Sequence, residues 1–152
     1  MEEIPVKANG RKGRKMKKYT RRVNYYETDR MGITHHSNYI RWMEEARIDF
    51  LEQLGWGYDK IEEMGIISPV TAVECKYKNT TTFADAVTID VWVAEFRGVK
   101  LKIGYLMTKA DGTPVCEAFS EHCFLNRDGK IISMKREYPQ IYTALCEYLR
   151  EE

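Results

Sequence analysis

The chain has 152 residues, 24 Lys/Arg against 23 Asp/Glu, and a formal charge of +1. That is one domain's worth of protein, able to bury a full core without a metal or disulfide staple. No apolar run approaches the roughly 18 residues of a spanning helix, and no apolar leader is expected within Met1–Lys18. The four cysteines (Cys75, Cys116, Cys123, Cys146) form no C-x-x-C pair. A zinc site and a disulfide framework are therefore not expected, and the composition fits a reducing cytoplasm.

In chain order, the first feature is a charge run. Between Lys7 and Arg22 stand nine Lys/Arg and no acid. Residues 1–18 read as a flexible basic arm, and residues 19–152 as a single domain. The arm could meet a polyanion, but no aromatic-basic groove or recognition helix signals nucleic acid.

Arg21 to Tyr26 reads as a first strand, and the polar Glu27 to Ser37 as a loop. From Tyr39 to Leu54 the period changes. Tyr39, Met43, Ala46, Phe50 and Leu54 recur at three and four, with Ile40, Arg47 and Leu51 beside them. This predicts an amphipathic helix of about four turns, capped by Ser37 or Asn38 and closed by Gly55. Tyr58 to Met64 predicts a short second helix.

Beyond Gly65 the period is two. Strands are expected around Val70–Tyr77, Val87–Ala94, Val99–Thr108 and Val115–Leu125, with a short one at Lys130–Met134. Arg97-Gly98, Asp111-Gly112 and Asp128-Gly129 mark the turns between antiparallel neighbours. Pro139 opens a C-terminal helix. One long helix against one antiparallel sheet is an α+β arrangement. The sheet's other face retains Trp92 and Phe124, a surface that a homo-oligomer would cover.

The stretch D29-R-M-G-I-T-H-H-S-N-Y39 carries the chemistry. An acid and a turn-forming Gly32 precede two histidines at a helix start. That start offers unpaired N–H groups and partial positive charge, which would polarise a carbonyl oxygen. Asp29 could attack the carbonyl carbon or deprotonate a water. Spacing alone favours the plainer reading, in which Asp29 caps a turn and His36 is a polar loop residue.

The string RVNYYETDRMGITHHSNYIRWMEEAR resembles the N-terminal signature of hot-dog-fold acyl-CoA thioesterases, the 4-hydroxybenzoyl-CoA thioesterase-like branch. Asp29, Gly32, Asn38-Tyr39, Glu44 and Arg47 carry the likeness, with Phe83–Val87 resembling a later turn into a long strand. The resemblance implies a central helix wrapped by a curved antiparallel sheet, in dimers paired edge to edge or in tetramers, with sites at the dimer seam. It implies that Asp29 is the catalytic carboxylate and that the His36 N–H polarises the thioester carbonyl. Arg30 and Thr34-His35 depart from the family pattern and bear on acyl preference.

Gly32, Tyr39 and Glu44 are then expected to contact substrate. Glu44 should face the site and Glu45 the solvent. Arg97 and Lys100 are expected at the coenzyme A phosphates by rough match to basic positions in relatives, with Lys135 and Arg136 weaker candidates. Tyr39, Trp42, Phe50 and Trp56 could line an acyl pocket, with core packing the expected job of most of them. His122 is expected to be a packed or surface residue, since no second ligand has metal-site spacing. No metal or cofactor is expected, coenzyme A entering as part of the substrate. An acyl-carrier-protein thioester as substrate, or a non-catalytic binder of acyl ligands or polyanions, are the alternatives. A dehydratase would show a different Asp/His arrangement.

Overall fold

The computed structural model describes residues 16–150. The basic run up to Lys15 lies outside them. Residues 16–18 do not belong to a free arm. Met16 packs on the core, and Lys17 exchanges hydrogen bonds with the Gln53 side chain at 3.2 and 3.0 Å.

Strand β1 is Tyr19–Arg22, shorter and earlier than the expected Arg21–Tyr26. Asn24 ends it by capping a 3-10 turn, Tyr25–Glu27. The Glu27 carboxylate accepts the Asn24 N–H at 2.8 Å, a reciprocal capping box. Helix α1 follows at Ser37–Leu54 and α2 at Tyr58–Glu63. Strands β2 (Val70–Tyr77), β3 (Ala86–Phe96), β4 (Leu101–Lys109) and β5 (Pro114–His122) complete the sheet. Helices α3 (Met134–Glu137) and α4 (Pro139–Cys146) close the chain. The strand expected at Lys130–Met134 is not formed. Ile131 makes only an isolated bridge to Leu125, and Ser133 caps α3 by accepting the Arg136 N–H.

The sheet is antiparallel throughout, in the order β1-β3-β4-β5-β2. Alternation puts Val87, Ile89, Val91 and Val93 on the face under α1, in register with Met107, Tyr105 and Ile103. Against them α1 buries Tyr39, Trp42, Met43, Ala46, Arg47, Phe50 and Leu51, spaced three and one. At the far end of α1, Gly55 takes φ +89° and its N–H returns to the Leu51 and Glu52 carbonyls. Phe124, expected on the open face, is instead 4% exposed and packs on Phe96 in the core. Trp92 does lie on the outer face. A side chain at Gly104 would meet its indole, so the glycine makes room for the ring.

Helix α4 plugs the end of the sandwich with Ile141, Tyr142 and Leu145. Strand β2 is an edge. None of its eight residues is buried, and its outer backbone row has no strand to pair with among the described residues.

Candidate functional site

The loop from Thr28 to His36 is held by its own backbone and by two anchors. Asp29 N–H donates to Ile33 O at 2.8 Å, and Gly32 N–H returns to Asp29 O at 2.9 Å. Gly32 sits at φ +84°, a region that costs a side chain strain, which is why glycine stands there. The first anchor is Thr81, which precedes β3. Its carbonyl accepts the Thr34 N–H at 2.9 Å, and its hydroxyl meets those of Thr34 at 2.6 Å and Tyr39 at 3.0 Å.

The second anchor is Glu27. Its carbonyl accepts from His35 N–H at 2.9 Å and from the Asn38 amide at 3.0 Å. Its buried carboxylate takes a two-pronged bond from Arg21 at 2.7 and 3.0 Å and the Trp42 indole N–H at 3.0 Å. Burial opposes ionisation here. The Arg21 guanidinium and the Asn24 and Trp42 N–H groups outweigh it and hold the carboxyl below the usual range. Arg21 also reaches Glu45 at 2.9 Å, so Glu45 is paired and does not simply face solvent.

The helix start differs from expectation. Neither Ser37 nor Asn38 caps it. His36 is the N-cap residue and makes no side-chain cap bond. The His35 ring accepts the Ser37 N–H at 3.2 Å, and the Asn38 amide is spent tying the Glu27 and His35 carbonyls. Among the described residues no hydrogen bond uses the backbone N–H of His36. That leaves a donor at the positive end of an 18-residue helix.

An open cavity of about 730 Å3 runs along this end of α1. Asp29, His35, Asn38, Arg41, Glu44 and Glu45 line it, with Ser37 at the helix start. One Asp29 carboxylate oxygen accepts the Met31 N–H at 2.8 Å. The structure thus brings Asp29, the first turn of α1 and Glu44 to one cavity.

Other expected residues stand elsewhere. The His36 ring stacks on His35 and meets Tyr77 edge-on, off the cavity wall. Tyr39 is a core residue, 4% exposed, with its hydroxyl engaged by Thr81. Arg97 and Lys100 flank a separate surface hollow at the β3–β4 turn. The 11 residues of β3 separate that turn from the Asp29 loop, about 35 Å of strand. Lys135 and Arg136 lie on α3. Glu27, Thr81 and His35 were missed as site-forming residues. An S/T/D/N-x-x-E pattern at Asn24–Glu27 was the one available signal.

Residues 23–144 match the thioesterase-like superfamily. The chain belongs to that superfamily. A Bacillus subtilis (strain 168) protein named "Putative acyl-CoA thioesterase YneP" is 32% identical over 123 residues, 80% of this chain and 89% of that one. The crystal structure of a DHNA-CoA thioesterase from Staphylococcus aureus is similar at TM-score 0.79 and 30% identity, covering 84% of this chain and 86% of its own. A hypothetical protein from Aquifex aeolicus is similar at TM-score 0.77 and 35% identity, over 82% and 98% of the two chains. The α+β hot-dog fold and the enzyme class expected from the sequence, a thioester hydrolase, are those of the family. Among the described residues no helix is long and apolar enough to cross a membrane. Nor does any group of three His, Cys, Asp or Glu there have the arrangement to hold a metal.

Proposed function

We propose that this protein hydrolyses acyl-CoA thioesters, with Asp29 and the start of α1 as the reacting site. The observation that carries the reading is the unengaged His36 N–H at the positive end of α1, next to a cavity that Asp29 lines. A thioester carbonyl oxygen accepting that N–H would be polarised in the direction its charge grows during attack. The Asp29 carboxylate then has two routes. It attacks the carbonyl carbon, expels the coenzyme A thiolate and leaves an acyl-aspartyl anhydride that water opens. Alternatively it takes a proton from water, whose oxygen attacks instead. Both give a carboxylic acid and a thiol. The Glu27 anchors serve by holding the loop in place.

The exposed β2 edge supports a dimer of two such copies. Two-fold antiparallel pairing of β2 would carry the β3–β4 turn of one copy, with Arg97 and Lys100, toward the end where the other copy holds its Asp29 loop. That is where coenzyme A phosphates would need cations. Acyl carrier protein remains the alternative carrier.

The test is a panel of acyl-CoA thioesters with free-thiol detection, on wild type and Asp29→Asn. Thiol release should fall by at least about a hundredfold in the variant with its circular dichroism unchanged. Retained activity in a folded variant would refute the assignment. Single turnover in heavy-oxygen water separates the routes, since label enters Asp29 only through an anhydride.

A further inference from the structure

The described chain has a second feature that hydrolysis at Asp29 does not use. Glu44, at the wall of the first cavity, also borders a cleft of about 340 Å3 lined by Arg47, Tyr58, Glu62, Ser68 and Val70. From that cleft a void of about 30 Å3, room for a single water, continues past Arg47 and Tyr58 to His122. The guanidinium is the charged group common to cleft and void, with the polar Tyr58 and Ser68 beside it.

Arg47 is 8% exposed. It donates from Nε to the Tyr58 hydroxyl at 3.2 Å and from Nη1 to the Tyr105 hydroxyl at 3.0 Å. Among the described residues its Nη2 group has no hydrogen-bond partner, and no carboxylate forms an ion pair with it. The contrast with two other arginines is direct. Arg21 has Glu27 and Glu45, and Arg150 has Asp90 at 2.9 and 3.0 Å. Arg47 is more deeply buried than Arg150 and has only hydroxyls. Glu44 and Glu62 border the cleft without pairing to it. The guanidinium keeps its charge, and its unpaired Nη2, which is not among the fully buried unpartnered atoms, is open to an anion arriving through the cleft.

We propose that Arg47 recognises a carboxylate at the far end of the acyl group, making this cleft a subsite for thioesters of dicarboxylic acids. The inference rests on the reading that places the thioester carbonyl at the His36 N–H. Arg47 stands eleven positions after His36 on the helix, about 16 Å along the axis. An arginine side chain on a helix points back toward the N-terminus, which shortens the span to that of a medium-length acyl chain. Glu44, common to both cavities, marks the route between them.

The deciding comparison uses wild-type enzyme with octanedioyl-CoA and its methyl ester, equal in reach and differing in terminal charge. The free acid should be the better substrate by roughly ten- to hundredfold in kcat/KM. Arg47→Met should erase the preference, and Arg47→Lys should keep part of it. If Arg47→Met does not fold, the wild-type ratio decides alone. Equal rates, or a preference for the ester, would overturn the subsite and leave the hydrolase reading intact. If neither thioester is cleaved, the hydrolase reading fails instead. Calorimetric binding of the same two compounds then judges the subsite, tighter binding of the acid supporting it and equal binding overturning it.

Discussion

His122 offers a stability test whose size follows from its surroundings. The imidazole is 2% exposed, and its Nε2 lies 2.8 Å from Ser120 Oγ. Ser120 Oγ lies 2.6 Å from the Tyr105 hydroxyl, which accepts from Arg47. Arginine only donates, and a chain running Arg47 to Tyr105, Tyr105 to Ser120 and Ser120 to a neutral His122 nitrogen gives every hydroxyl proton an acceptor. Burial first, then the Arg47 charge, push the His122 pKa down from 6.5 to about 4. The unfolded chain therefore binds a proton between those values that the folded chain refuses. Stability is full above about pH 6.5 and is lost as pH falls toward 4. Between pH 7.5 and pH 5 this one group should cost about 2 kcal/mol, or roughly 4–8 °C in Tm. Urea melts of wild type and His122→Gln at both pH values isolate it, because other titrations are common to the two proteins. The wild type should lose about 2 kcal/mol more than the variant on acidification. An equal loss in both would refute a neutral, buried His122.

Two further outcomes follow from contacts already described. Glu27→Ala strips Arg21 of its two-pronged partner and leaves the Trp42 and Asn24 N–H groups unmatched. We expect a loss of about 3 kcal/mol in urea melts, at the low end for a broken buried pair because Glu45 still reaches Arg21. A loss under about 1 kcal/mol would mean the capping box is incidental. Val73 is 40% exposed on the β2 edge. Val73→Lys should lower the oligomeric mass seen by sedimentation if β2 is the pairing edge, while circular dichroism stays that of the folded chain. An unchanged mass would place any pairing elsewhere.

Much of the fold was legible in the residue pattern. Period two in Val87–Val93 and period 3.6 in Tyr39–Leu54 each report which residues share a face, because side-chain direction follows backbone geometry. Gly55 at a left-handed helix end is legible for the same local reason. Reading failed where two local signals competed. The second half of the strand expected at Arg21–Tyr26 lost to the Asn24–Glu27 capping box, and the strand expected at Lys130–Met134 lost to Ser133 as a cap. Phe124 was misplaced because its chain leaves the strand at His122 and turns into the core.

The candidate site divides along the same line. Asp29, Gly32 and the helix start lie within eight residues of one another, and backbone turns alone bring them together, so the string DRMGITH was readable as chemistry. Charge compensation was not readable. The pairing of Glu45 with Arg21, the neutrality of His122 and the lone guanidinium of Arg47 depend on neighbours 24 to 75 positions away. Nor could the pattern say that β2 would finish at the rim of the sheet. Periodicity records which side of a strand is greasy and is silent on which strand lies next to it. Local stereochemistry decides the elements and the loop. Strand order, and every electrostatic partner that order brings within reach, exists only once the chain has packed.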